Sequence, residues 1–345
     1  MEGDRAFSET SIVDTDMPAS VFILGREPHL SVAEIAAVVG DGADWTKAEL
    51  SAEALIVESG ICPPKADPTW AENLESGISA RSLMNRLGGT IKIGEAWRRI
   101  SHDEFLISHD EAIGTFILSA CGGSAVGGEH STRKVHFGFS VYNLGGGQKR
   151  VEEVRRALTR GAAKQKTALK EHGRTARWVT SRESTLSSVI VQKEKLLPEQ
   201  NGIEVLVLVG PNHITLARTL TVQPFEDWGR RDYGKPARNM TRGMLPPKLA
   251  RAMVNMAGVK SSKLKAQSSN QIQKSKGKNS VFGIRYSEFT LLDPFCGTGT
   301  VLLEALALGC RVIGSDNDAA AIAESRANIQ WALGADAEQH DRVQL

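Results

Sequence analysis

Two short stretches hold the residues best suited to chemistry: Leu291-Leu-Asp-Pro-Phe-Cys-Gly-Thr-Gly-Thr300 and Arg311-Val-Ile-Gly-Ser-Asp316. Phe289 to Leu292 is a short apolar run that suits a buried parallel strand. Asp293 and Pro294 end it. Gly297 and Gly299 permit a tight turn and a close approach of backbone to ligand, where a Cβ would clash. Val301 to Leu308 reads as a helix, with Gly309 as its C-terminal stop. Val312 and Ile313 open a second strand that ends at Asp316. The unit is strand, glycine loop, helix, strand, with a carboxylate about 20 residues beyond the loop. Such a carboxylate can accept hydrogen bonds from both ribose hydroxyls of a nucleoside. The dinucleotide fingerprint asks for a third glycine, and Leu302 stands in its place. Asp293 would also repel a pyrophosphate. Its charge suits a cationic ligand that carries an ammonium group.

The elements that must carry this unit lie upstream. Val21 to Leu24 is a strand candidate and Gly25 to Pro28 a turn. Ser31 and Glu34 form a capping box for a helix from Val32 to Val39. Trp45 to Leu50 and Ala54 to Glu58 suit a hairpin. Thr69 caps a helix to Leu87, and Thr90 to Ile93 is a fourth strand. The order β-α-β-β-α-β is the split βαβ, ferredoxin-like pattern. A second module runs from about 103 to 223. Val135 to Tyr142 has a strand pattern, Gly145 to Gly147 is a loop, and Lys149 to His172 is a long helix closed by Gly173. Ala176 to Thr180, Ser188 to Val191, Ile203 to Val209 and Ile214 to Leu220 read as further strands. Arg155, Arg156, Arg160 and Lys164 crowd the long helix, and Arg174 and Arg177 follow it. A basic helix of this kind can track phosphates, although a solvated face has the same composition.

Composition sets the outer bounds. The 345 residues leave room for two or three domains, and 41% hydrophobic residues suffice for ordinary globular cores. No apolar run of about 18 residues exists, so no membrane span is expected. The first 16 residues are polar and carry acids, unlike a signal or transit peptide. The four cysteines form no C-x-x-C pair and no zinc pattern, which points to reduced thiols in the cytoplasm and to no metal site. A net charge of +2 neither demands nor excludes nucleic acid.

The string Asp293-Pro-Phe-Cys-Gly-Thr-Gly-Thr300 resembles motif I of S-adenosylmethionine-dependent methyltransferases that modify exocyclic amines of bases. With the upstream segments, the chain resembles the THUMP-containing tRNA guanosine N2-methyltransferases that modify position ten. Leu24 to Ile35 and Leu87 to Ile93 are similar to that family's N-terminal segments. Phe137 to Tyr142 and Leu186 to Val189 are similar to its THUMP region. Gln223 to Pro236 and Gly243 to Ala250 are similar to the lead into its catalytic domain.

The resemblance implies a mixed α/β and α+β chain. It would have a ferredoxin-like domain over 18–100 and a THUMP-like RNA-binding domain over 103–223. A linker with a pre-motif helix would cover 224–258; composition, apart from the resemblance, marks a low-complexity basic insert over 259–288. The opening, incomplete part of a Rossmann-like class I methyltransferase domain would cover 289–345. It implies S-adenosylmethionine as cofactor, held by Asp293, Phe295, Cys296, Gly297, Thr298, Gly299, Asp316 and Asn317, with Asp316 as the ribose-binding acid. The helix from Pro246 to Met256 would pack beside the cofactor pocket. The THUMP region would grip the acceptor end of tRNA, and Arg155, Arg156, Arg160, Lys164, Arg174 and Arg177 are the expected RNA contacts. Cys296 reads as loop filler, because amine methylation needs no covalent enzyme intermediate. His136 and His213 read as structural.

One departure from the family is the lysine- and serine-rich run from Lys260 to Ser280, whose composition favours disorder. The other is that no Asp/Asn-Pro-Pro-aromatic motif follows Asp316. That motif orients the target amine, and alignment contributes much of the acceleration in such a displacement. Catalytic residues are therefore unassigned. The expectation is a C-terminally truncated chain, inactive alone, or one half of a split enzyme whose second chain supplies the missing strands. Two other readings stay open: an amino-methyltransferase for another RNA or for DNA adenine, and a tRNA-binding protein without chemistry.

Overall fold

The computed structural model describes residues 19–59, 79–120, 134–238, 244–258, 289–334 and 341–345. The first elements are β1 (Ala19–Leu24), α1 (Pro28–Val39), β2 (Ala43–Leu50), β3 (Ala54–Ser59), α2 (Ala80–Arg86) and β4 (Thr90–Ser101). Their β-α-β-β-α-β order follows the alternating patterns of the sequence, and β2 and β3 form the expected hairpin. The start of α1 differs. Pro28 opens the helix one turn early, as proline favours the first helical position. Ser31 and Glu34 therefore lie inside α1 and form no capping box. Ser31 Oγ donates to the Gly89 carbonyl at 2.8 Å. The Glu34 carboxylate accepts the Gly88 and Gly89 N–H groups at 2.8 and 2.7 Å. Both residues clamp the turn before β4. Burial pushes the Glu34 carboxyl above its usual value, against these hydrogen bonds.

The next group is α3 (His102–Ala120), β5 (Val135–Asn143), α4 (Gln148–Glu171), β6 (Ala176–Val179), α5 (Ser188–Lys193), β7 (Gly202–Val209) and β8 (His213–Val222). Helix α3 is an element that the local patterns do not predict. It docks through Phe116, whose ring stacks on Trp97 of β4 with centroids 4.3 Å apart. Residues Ser188 to Val191 are helical rather than extended. Ser187 Oγ accepts the Ile190 N–H at 3.3 Å, and this cap outweighs the strand preference of three β-branched residues. The expected helix start at Thr69 and the basic insert 259–288 lie outside the described residues.

All eight strands join one sheet in the order β2-β3-β1-β4-β8-β7-β5-β6. The junction is the antiparallel pairing of β4 with β8, from Lys92↔Val222 to Ser101↔His213. Helices α1 and α2 cover one part of the sheet, and α3 and α4 another. Val21, Ile23 and Ile56 share a further apolar cluster with Tyr142, Leu144 and Leu206, so the sheet curls until these surfaces meet.

Across the junction runs a buried polar network. Lys92 and Glu204 are 1% and 0% exposed and form an ion pair. The Lys92 ammonium also donates to the Leu186 carbonyl at 2.6 Å. Ser140 Oγ and Thr219 Oγ1 donate to the Glu204 carboxylate at 2.5 and 2.6 Å. Side chains from β4, β5 and β8 thus satisfy one carboxylate on β7.

The chain continues through α6 (Phe225–Tyr233) and α7 (Pro247–Gly258) to a second sheet. The elements there are β9 (Thr290–Asp293), α8 (Thr300–Ala307), β10 (Arg311–Gly314), α9 (Ala319–Leu333) and β11 (Val343–Gln344), and the three parallel strands are ordered β11-β10-β9. Among the described residues no helix is long and apolar enough to cross a membrane.

Lys92→Met leaves the Glu204 carboxylate buried with hydroxyl partners alone. It is expected to lower stability by about 3–5 kcal/mol. The urea midpoint of the N-terminal sheet, followed by tryptophan fluorescence, measures this. The double variant Lys92→Met with Glu204→Gln should recover most of the loss.

Candidate functional site

The parallel register of β9 and β10 pairs Gly314 with Asp293. Asp293 and Asp316 therefore emerge at the same, C-terminal, end of adjacent strands, where ligands of open α/β sheets bind. Between them the backbone is tightly tied. The Cys296 N–H donates to the Ser315 carbonyl at 2.9 Å, and the Ser315 N–H donates to the Asp293 carbonyl at 3.0 Å. Asp293 Oδ1 accepts the Phe295 N–H at 3.1 Å. Asp316 Oδ2 accepts the Gly297 N–H at 2.9 Å, and its Oδ1 accepts the Asp318 N–H at 3.0 Å. Both oxygens of Asp316 thus hold the loop.

Gly297 and Gly299 have φ of +51° and +80°, in the left-handed region that favours glycine. A Cβ at Gly297 would meet nothing within 4 Å, whereas one at Gly299 would collide with the Ser325 hydroxyl of α9. The loop thus turns bare backbone to open space on one side and is packed on the other. Phe295 is 84% exposed, and Asn317 is also exposed. Thr298 is buried, and its carbonyl accepts from Asn328 Nδ2 at 2.9 Å. Burial, and then the charge of Asp293, push the Cys296 thiol up, which keeps it neutral at physiological pH. That environment is wrong for a nucleophile.

The second half of the site lies in the linker, whose helix the family resemblance puts beside the cofactor pocket. Helix α7 packs against α8 and α1. The buried Glu304 of α8 receives Arg231 Nε of α6 on Oε1 at 2.9 Å, and Arg251 Nε of α7 on Oε2 at 2.8 Å. The Trp228 ring faces both guanidinium groups, at 4.2 Å from Arg231 and 5.5 Å from Arg251. Arg251 Nη1 also donates to the Asn85 carbonyl at 3.1 Å, and Asn255 Nδ2 donates to Glu34 Oε1 at 2.6 Å. Burial, followed by the charge of Arg251, pushes the nearby Arg86 guanidinium down to about 10. The legible signal is the i, i+4 spacing of Arg251 and Asn255, which puts two polar groups on one face of a helix that is apolar from Ala252 to Val254.

The six expected cationic residues are only partly brought together. Arg155, Arg156 and Arg160 line a shallow groove on α4 with Glu152 and Thr159. Lys164 pairs with Asp110 of α3 at 2.9 Å, and Arg177 with Glu194 at 3.0 Å. Arg174 lies beyond the end of α4, with one guanidinium nitrogen buried. His136 Nδ1 of β5 contacts the carbonyl of Glu194, which ends α5, and His213 of β8 contacts Glu49 of β2. Among the described residues no three His, Cys, Asp or Glu side chains converge to hold a metal.

Residues 286–343 match the family described as UPF0020, RMKL-like, methyltransferase domain. The chain is 39% identical over 88 residues to a tRNA (guanine(10)-N2)-dimethyltransferase of Methanothermobacter thermautotrophicus, covering 26% of this chain and 18% of that protein. It is 38% identical over 76 residues to the enzyme of the same description from Methanocaldococcus jannaschii, covering 22% and 14%. The aligned stretches therefore span less than a fifth of either relative. The crystal structure of TrmN from Thermus thermophilus is similar over 95% of this chain and 72% of its own, with 16% identity and a TM-score of 0.46. The segment that carries the glycine loop is thus methyltransferase-domain sequence.

The two loop glycines should respond differently to substitution. Gly297→Ala incurs only the left-handed backbone penalty of about 1–2 kcal/mol. Gly299→Ala adds the collision with Ser325 and should lower the melting temperature further. Differential scanning calorimetry of both variants gives the order.

Proposed function

We propose that this chain contains the cofactor-binding and tRNA-binding parts of an S-adenosylmethionine-dependent methyltransferase acting on the exocyclic amine of a guanosine in tRNA. The observation that carries this reading is the open backbone at Gly297, set between two carboxylates at the ends of β9 and β10. It forms a cradle that a side chain would fill. Its acidic acceptor set fits a ligand with an ammonium group and ribose hydroxyls better than a pyrophosphate. When bound, S-adenosylmethionine supplies a sulfonium methyl group. Asp316 would accept from the ribose hydroxyls, and Asp293 would attract the ammonium group. Phe295, Cys296, Thr298 and Asn317 complete the surround, with Cys296 inert as a thiol. The match of 286–343 to a methyltransferase domain and the names of the two relatives support the reaction class.

In this reading the N-terminal sheet, with its ferredoxin-like and THUMP-like halves, is the tRNA-holding part. Arg155, Arg156 and Arg160 are the leading phosphate contacts, because they share one groove on α4.

Two measurements test the proposal. Disruption of the gene should remove an N2-methylated guanosine from tRNA, read by mass spectrometry of digested nucleosides; an unchanged nucleoside profile overturns the assignment. The double variant Arg155→Glu with Arg156→Glu should weaken tRNA binding by the chain and flatten its dependence on salt, because fewer counterions are released. Unchanged affinity and slope would move the RNA surface elsewhere.

A further inference from the structure

The glycine loop is held from behind by two side chains that no motif marks. Asn328 of α9 is fully buried. Its Oδ1 accepts the Ala237 N–H at 2.8 Å, and its Nδ2 donates to the Ala237 carbonyl and the Thr298 carbonyl, both at 2.9 Å. Three of the four hydrogen bonds that a carboxamide can make are thereby used. One side chain clasps the backbone of the α6–α7 connection and the middle of the glycine loop together.

Ser325 lies one turn earlier on the same face of α9 and excludes a Cβ at Gly299. The second clasp is Lys235, which is 3% exposed and donates from Nζ to Thr300 Oγ1 at 2.9 Å. Thr300 is the first residue of α8, directly after the loop. A buried ammonium beside the positive end of a helix is unfavourable for stability alone. Burial accordingly lowers the Lys235 pKa.

We infer that Asn328 and Lys235 are positioning residues for the cofactor loop. They fix the peptides from Thr298 to Thr300 so that the bare face at Gly297 stays turned toward the ligand. The inference rests on reading Gly297 to Gly299 as a cofactor loop. It adds to that reading by making the α6–α7 connection part of the site, so that loop geometry depends on a segment outside the β9–β11 unit. Neither residue touches the ligand in this account. Each acts through a loop atom, Asn328 through the Thr298 carbonyl and Lys235 through the Thr300 hydroxyl.

The test uses the full chain without ligand, then with S-adenosylhomocysteine. Asn328→Asp keeps the size and one acceptor but loses both donations. Hydrogen exchange over the loop peptide 297–303, read by mass spectrometry, should quicken by about tenfold or more, while exchange across β5 and β7 stays at the wild-type rate. The dissociation constant for S-adenosylhomocysteine, from calorimetric titration, should rise about tenfold, which corresponds to the loss of one well-made buried hydrogen bond. Lys235→Met should move both readouts in the same direction, and Lys235→Arg, which retains a charged donor, should restore them. A lower melting temperature with loop exchange unchanged would overturn the inference, because the residues would then only stabilise the fold. Failure of the wild-type chain to take up S-adenosylhomocysteine would overturn the cofactor reading instead, and loop exchange would still decide the positioning claim.

Discussion

Glu304 sits on α8 at 1% exposure, and each of its carboxylate oxygens is met by a guanidinium from a different helix, Arg231 of α6 and Arg251 of α7. An ionised carboxylate in such a place costs several kcal/mol unless its partners arrive in good geometry. They arrive only when α6 and α7 both lie against α8. Arg251 also reaches the Asn85 carbonyl, so the same guanidinium ties α7 to α2, one of the helices on the N-terminal sheet. The stretch between the two sheets therefore acts as a bracket rather than a tether. The glycine loop, which begins α8, takes its place from that bracket.

The same constraint recurs at the centre of the large sheet. Glu204 is satisfied by Lys92, Ser140 and Thr219, which lie on three other strands. Any slip of β4 against β8 would separate Lys92 from the carboxylate and strand a charge in the core. Register is strongly specified where one face is buried, and a buried ion pair adds to that specification. Both junctions of the molecule, strand to strand and sheet to sheet, thus centre on a glutamate without exposure.

Surface charge follows a different logic. Arg155, Arg156 and Arg160 share one groove on α4, where Arg155 meets Glu152 of the same helix at 3.6 Å, while Lys164 and Arg177 each meet an acid from another element at 2.9 and 3.0 Å. Cations with acidic partners already in place have less to offer a phosphate backbone. In the proposed RNA reading, attraction concentrates on Arg156 and Arg160 of α4, with Arg155 partly offset by Glu152. The spacing of basic residues along the helix says nothing of this, because Asp110 and Glu194 come from other elements.

What the sequence alone determined was local. The strand, glycine loop, helix and strand from Phe289 to Asp316 were legible because left-handed turns demand glycine, apolar runs demand burial, and both signals lie within a few residues. The β-α-β-β-α-β order was legible for the same reason. Local rules failed where a distant partner competed. Ser31 and Glu34 have the spacing of a capping box, but the Gly88–Gly89 turn takes their polar atoms and Pro28 takes the helix start. Ser188 to Val191 carries β-branched residues, yet a serine cap makes it a helix. Only the tertiary structure decided that two modules share one sheet, that Glu304 is the anchor of the linker, and that Asn328 and Lys235 hold the loop. Each of those facts joins atoms from residues far apart in the chain, and the free energy of burying a charge or an amide depends on which partner is present, not on how near it lies in sequence.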